Sequence, residues 1–343
     1  MVRFYAFLGS VLLLSSSSYA QLVWQQRAPM QVGRGEHANA LVNGRIYAFN
    51  GLTSSGRGPV EIERYDPVMD RWTVVSTFPD IDDNGRGRDH VTVSHAVWQA
   101  EIWYTGGKFG PARGVSGSIR VDVFNTDTLS WRRGPDLPER AWGHGTAVVG
   151  SQLHVISGGV GGGSVTDQHF VLDLTDEAAG WQEAAPVPFA QVHTSAVALE
   201  GKIYLIGGET SHSGHRGINA RVQEYNPATD QWRDRAEIPV SRSHHEWSTF
   251  AWNGRILSAG GIGGTNPVRA QTEIYQYFPQ TDRWEFVGHM AKAFVSTGAK
   301  VIDGSLYTFG GGLGGFFPAT SETWVSPLNV GPASTLFADG FED

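Results

Sequence analysis

The sequence predicts an all-β fold, a six-bladed β-propeller of four-stranded repeats, and three observations carry that expectation. The 343 residues include 44 Gly, 16 Pro and 12 Trp, with 17% charged residues. Gly and Pro at about one residue in six are too frequent for a helical bundle, where both cost most inside helices, and the chain has too much aromatic area to remain disordered. Six segments share one pattern: IYAFNG (46–51), IWYTGG (102–107), LHVISG (153–158), IYLIGG (203–208), ILSAGG (256–261) and LYTFGG (306–311). Their closing glycines are spaced 56, 51, 50, 53 and 50 residues apart, a period that marks a repeat architecture. Trp72, Trp131, Trp181, Trp232 and Trp284 run in phase, each seven residues after an apolar residue of a strand-like run: Tyr65, Phe124, Leu174, Tyr225 and Tyr277.

In chain order, residues 1–20 read as a signal peptide. Arg3 supplies the positive end, Phe7 to Leu14 the apolar run and Ser18-Tyr19-Ala20 the small-x-small cleavage site. Cleavage near Ala20 implies an exported protein, periplasmic or extracellular. Residues 21–330 are expected to hold the propeller. Each unit reads as strand a (small and apolar, as in TSAVAL), strand b (IYLIGG), strand c (VQEYNP) and strand d, which carries the Trp. The sixth unit ends with Glu322-Thr323-Trp324-Val325 and has no strand d after it, whereas LVWQQRAPM near the start matches DQWRDRAEIP and GWQEAAPVP. The N-terminal strand is therefore expected to complete blade six and remove the open sheet edge. The acidic, aromatic tail 331–343 follows a Gly-Pro break and fits no blade.

Double glycine, strand-c aromatic and strand-d Trp together resemble the kelch repeat, and the resemblance covers about residues 22–327. Asn50 and Ser157 replace the first glycine in two copies, which implies turns of different shape there.

Strand order puts the d-to-a and b-to-c connections on one face, long and rich in Gly, His and Arg. The a-to-b turns (LVNGR, ALEGK, VIDGS) lie on the other. His37, His90, His144, His193 and His244 or His245 all lie just before strand a, and Arg34, Arg88, Arg140 and Arg242 precede four of them by two to four residues. Between blades three and five, Asp167 and His169 open strand c of blade three. GETSHSGHRG (208–217) brings Glu209, His212, His215 and Arg216, and SRSHHEW brings His244, His245 and Glu246. Imidazole suits sugar hydroxyls, carboxylates and divalent metals. No ligand spacing beyond Asp167/His169 is visible, so neither a metal nor any other cofactor is expected. Asp80, Asp82, Asn84 and Gly85 open like a calcium loop, but Val91 stands where the acid belongs, which makes the segment a solvated turn.

These residues, with Phe109, Trp142, Trp247 and Phe316 as exposed aromatics, point to binding of a carbohydrate-like or peptide ligand by a monomer. DQHFVLDL, VHTSAVALEGKIYLIGGE and SHHEWSTFAWNGRILSAGG resemble exported kelch domains found beside carbohydrate-binding modules. A second reading is enzymatic. LIGGETSHSGHRG is similar to the fourth repeat of the sialic acid (N-acetylneuraminate) mutarotases, which implies Glu209 as proton acceptor and Arg216, or else Arg221, as carboxylate clamp. A copper radical oxidase on this fold needs a Cys-Tyr crosslink, and the chain has no Cys. A net charge of −8 argues against nucleic acid as partner, and no later run is apolar over the ~20 residues that a membrane helix needs.

Overall fold

The computed structural model describes residues 21–55, 61–79, 92, 94–108, 117–161, 164–212, 214–264 and 267–328. The expected signal peptide, the 331–343 tail, the calcium-loop-like turn, Arg88, His90 and Phe109 lie outside the described residues. Among the described residues no helix is long and apolar enough to cross a membrane.

Six four-stranded antiparallel sheets form the blades. Blade one is typical: strand a is Ala38–Val42, b is Arg45–Phe49, c is Glu61–Asp66 and d is Arg71–Thr77, paired in that order. The a strands of neighbouring blades touch one another, so a is innermost and d outermost. Blade six departs from chain order as expected: Gln25–Arg27 pairs antiparallel with strand c, Thr323–Pro327, through Gln25↔Val325, Gln26↔Trp324 and Arg27↔Thr323. Left-handed Asn43-Gly44, Glu200-Gly201, Asn253-Gly254 and Asp303-Gly304 close four a-to-b hairpins, the geometry that matches strand twist in two-residue turns.

The seven-residue interval between strand-c aromatic and Trp is the register of the c–d hairpin. Tyr65 faces Trp72, Phe124 faces Trp131, Tyr225 faces Trp232 and Tyr277 faces Trp284 as direct partners, with ring centroids 4.9–5.1 Å apart. Such pairs add about 0.5–1.5 kcal/mol beyond area burial. Each indole N–H then reaches the preceding blade. Trp131, Trp181, Trp232 and Trp284 donate to the carbonyls of Thr77, Pro135, Ala185 and Ala236, Trp24 to that of His289, and Trp72 to Thr323 Oγ1. The aromatic repeat therefore links the ring blade to blade.

The glycine repeat does the same nearer the axis. The closing glycine of one blade donates its N–H to the chain entering the next: Gly107 to Ala141 O, Gly158 to Gln191 O, Gly208 to Arg242 O and Gly311 to Arg34 O, at 2.8–2.9 Å. Its φ lies between +91° and +115° in all six copies, beyond the left-handed region open to other residues. The preceding position has φ of +50° to +64°, which Asn and Ser reach with modest strain. Asn50 and Ser157 accordingly keep the same turn, contrary to expectation, and Ser157 Oγ donates to Gln191 O at 2.8 Å. A Cβ at Gly158 would lie 2.6 Å from His144 Cβ and 2.9 Å from Trp142 O. Gly158→Ala is expected to cost about 2–4 kcal/mol, read as a lower midpoint in urea; an unchanged midpoint would contradict this account.

Strands a enclose an axial cavity of about 390 Å³, lined by Asn39, His95, Thr146, Val197, Phe250 and Lys300 among others. At its loop-face end the short 3-10 turn Glu246–Ser248 places Glu246 and Trp247 on the wall. Trp247 is buried, and its carbonyl accepts Asn39 Nδ2 of blade one at 3.1 Å.

Candidate functional site

The chain entering each strand a contains two adjacent positions with opposite roles. The first has positive φ in every blade: Glu36, Thr92, Gly143, His193, His244 and Ser296, at +48° to +56°. Glu36 N donates to Ser296 O, Gly143 N to Thr92 O and His193 N to Gly143 O, so these residues form a ring around the axis. The second position, His37, His144, Thr194, His245 and Thr297 in the described blades, packs outward. His37 lies against Gly310 of blade six, His144 against Gly106 of blade two and His245 against Gly207 of blade four, each imidazole filling space that a Cβ would need.

This separation reassigns several candidate residues. His37, His144 and His245 are fully buried between blades and do not face the mouth. His144 Nε2 bonds Thr105 Oγ1 at 2.8 Å, and His245 Nδ1 bonds Thr249 and Ser258 hydroxyls. Arg34 forms a buried 2.6 Å ion pair with Glu63, and that carboxylate also accepts the N–H groups of Gln31 and Val32. Arg242, the matching residue of blade five, is equally buried, bonding Ser258 Oγ and Glu273 O with its guanidinium over Tyr275. Arg140 is exposed and donates to Gly117 O. His169 packs between blades three and four, bonded to His154 and Ala185 O and 4.5 Å from the Tyr225 ring. The histidines pack between blades, and Arg34 and Arg242 tie the entering chain to strand c of their own blades. Trp142 and Trp247 are buried rather than exposed.

Five of the candidates do converge at the loop-face end of the axis. His193 and His244, from adjacent positions of the ring, stack with centroids 3.8 Å apart and planes 20° from parallel. Glu209 directly follows the closing glycine of blade four and is fully buried. Its Oε1 lies 3.3 Å from His212 Nδ1 and its Oε2 3.3 Å from His215 Nδ1. Arg216, two residues past the turn, is exposed and bonds Ser211 only through its backbone. Arg221 lies over the Phe189 ring and near Asp234. Neither arginine contacts Glu209 among the described residues.

Three further charged groups complete the site. Lys108 directly follows the closing glycine of blade two, the position Glu209 holds in blade four. Its Nζ lies 3.5 Å from the centre of a Trp142 ring and 3.4 Å from His212 Nε2. Glu36 occupies the same ring position as His193 and His244. Glu246 places Oε1 2.9 Å from His193 Nδ1. Repeat alignment was the signal for Lys108 and Glu36. For Glu246 it was a spacing: the second-position residue lies 14 before the closing glycine in blades one, three, four and six but 16 in blade five (His245 to Gly261), and Glu246 and Trp247 are the insertion.

The electrostatics follow from burial. Burial pushes Glu209 up, but its bonds to His212 and His215 and the nearby His193 prevail and hold it at about 2. The bond to Glu209 raises His215. Burial raises Glu36 to about 7, helped by Glu246, and Glu246 to about 8. Burial lowers Lys108 and holds His193 and His244 well below the usual imidazole value. The result is one ionised carboxylate in a nest of imidazoles, with Phe316 closing one side 5.1 Å from His244 and 5.6 Å from His215.

Comparison with known proteins agrees with this architecture. The Kelch motif family matches residues 33–79 and 192–238, parts of blades one and four. The chain is a six-bladed propeller that carries the Kelch motif in two of its blades. Kelch-like protein terF of Aspergillus terreus is 27% identical over 249 residues, 69% of this chain and 52% of that protein. Kelch-like protein 26 of Danio rerio is 25% identical over 285 residues, 81% of this chain and 44% of that protein. The chain spans about half the length of the curated relatives it matches. Among solved structures, that of YjhT superposes with a TM-score of 0.68 at 18% identity, covering 87% of this chain and 96% of that one.

Proposed function

We propose that this propeller is an exported binding module that takes a small polyhydroxyl or acidic ligand, carbohydrate-like in character, at the axial end of its loop face. The observation that carries this reading is that Glu209 and Lys108 approach opposite nitrogens of one His212 ring, Oε1 at Nδ1 and Nζ at Nε2, with the Phe316 ring against the neighbouring His215. A carboxylate accepts from hydroxyls, an ammonium donates to hydroxyl or carboxylate, and aromatic faces cover the apolar side of a sugar ring. A peptide ligand would use the same groups through a polar side chain.

The mutarotase reading changes in detail. Arg221 is engaged by Phe189 and Asp234 and Arg216 is exposed on the loop, so Lys108 is the cation in contact with the cluster that can meet a sugar carboxylate. Glu209 and His215 form the acid/base pair, since mutarotation needs only a proton donor and acceptor beside the ring oxygen and anomeric hydroxyl. Saturation-transfer NMR on the full chain with N-acetylneuraminate and a panel of neutral and acidic monosaccharides tests both. Binding weakened at least tenfold in Glu209→Gln and Lys108→Met is expected, with their melting curves unchanged. Anomeric exchange catalysed by the parent protein and lost in Glu209→Gln would favour the isomerase. No transfer from any sugar would overturn the carbohydrate reading and direct the search to peptides.

A further inference from the structure

The imidazole groups around Glu209 are arranged in a way that sugar recognition does not require. Two sets of three residues, His193–Glu209–His212 and Glu209–His215–His244, each bring one ligating atom per residue within 4.8 Å of the others. The two buried histidines are oriented from behind. His193 Nδ1 is tied to Glu246 and His244 Nδ1 to Ser243 Oγ, while the Nε2 of each is buried and has no hydrogen-bond partner. A buried imidazole nitrogen left unpaired is costly, and here two of them, fixed by hydrogen bonds at the opposite ring atom, adjoin one carboxylate. A carboxylate or hydroxyl behind a histidine is the outer-shell arrangement that orients metal-binding imidazoles.

We infer that Glu209 anchors a site for a borderline divalent transition-metal ion of the Zn²⁺ or Co²⁺ type, with His193 and His212 on one side and His215 and His244 on the other. The donor set selects the ion: four imidazoles and one carboxylate suit Zn²⁺ or Co²⁺ and are poor for Mg²⁺ or Ca²⁺, which take oxygen ligands. Zn–N and Zn–O bonds of about 2.0–2.2 Å require the donors to draw in slightly. His212 and His215 can supply that movement, because both stand on the exposed b-to-c loop and are only partly buried. On binding, the ion takes the place of the hydrogen that each Nδ1 shares with Glu209: a neutral imidazole carries that hydrogen on Nε2 instead, and a protonated one releases one proton to solvent. Lys108, 3.4 Å from His212 Nε2, is the opposing charge.

The test uses the full chain stripped with a chelator and titrated with Co²⁺ and Zn²⁺ alone. Isothermal titration should show micromolar or tighter binding, and Co²⁺ should develop visible d–d bands that Zn²⁺ abolishes. His212→Gln and His215→Gln, on an exposed loop and therefore safe for folding, should together weaken binding at least a hundredfold, as should Glu209→Gln. His289→Gln, on the outer strand of blade five, should bind as the parent does. Binding weaker than millimolar, or equal affinity in the loop double variant, would overturn the inference. Metal is the only probe, so a negative result here leaves the sugar-binding result standing, and the converse holds.

Discussion

Deleting residues 21–28 is expected to lower the melting temperature by about 10 °C or more. The segment is short, but it is the only outer strand for the blade that joins the two ends of the ring. Three residues pair with strand c of blade six, Trp24 Nε1 reaches His289 O of blade five at 2.8 Å, and Ala28 N reaches Asp70 of blade one at 3.0 Å. Leu22 and Trp24 pack with Trp324 on the blade-six core. Deletion removes half-buried Leu22 and Trp24 and uncovers Trp324, at about 1–2 kcal/mol each, and loses several hydrogen bonds at about 1 kcal/mol each. A total near ~5 kcal/mol at about 2 °C per kcal/mol gives the stated shift. It also leaves Thr323–Pro327 as an open edge, so aggregation on heating should rise. Differential scanning calorimetry with light scattering measures both, and an unchanged transition would remove the closure from any role in stability.

The closure was legible because it rests on strand-d composition: Trp24 followed by a polar pair and a Pro stands out wherever it falls in the chain. Blade number and order were legible for the same reason, since glycine at φ near +100° and an indole opposite a strand-c aromatic leave few substitutes. The site was harder to read. His244 and His245 are neighbours in sequence, yet one faces the axis and the other the blade interface, because the positive φ at the first position turns the chain between them. His193 matches His244, whereas His37 and His144 match His245, and treating all five as one feature merged two environments. Arg34 and Arg242 looked like ligand contacts because the sequence shows their charge and not the Glu63 carboxylate or the Ser258 hydroxyl and Glu273 carbonyl they meet across a blade. The Glu209 cluster has no linear ligand spacing because its members come from three connections, brought together only when blades four and five close on the axis.

The blade-interface histidines carry the second large effect, a loss of stability in mild acid. Burial lowers His144 and His154 to about 3 and His169 to about 4, and it holds His37 and His245 well below 6.5. A histidine whose folded pKa is depressed gives its full stability above 6.5. It loses that stability as pH falls, because the unfolded chain takes up protons that the folded chain refuses. Glu36 and Glu246 act in the opposite sense: raised to about 7 and about 8, they bind protons in the folded state first and favour it as pH falls toward 4.5. Burial also lowers His95 to about 3 and holds His193 and His244 well below 6.5, so between pH 6.5 and 4.5 eight histidines outweigh two glutamates and proton uptake favours the unfolded chain, by about 1.36 kcal/mol per net proton and pH unit. The melting temperature should therefore fall by at least about 8 °C per unit below pH 6.5. His144→Gln, which keeps a polar group toward Thr105, removes one of those protons and should flatten the slope by about a sixth. A melting temperature that stays level or rises between pH 6.5 and 5 would show that these imidazoles accept protons in place, and that the packing described for them against the neighbouring glycines does not exclude charge.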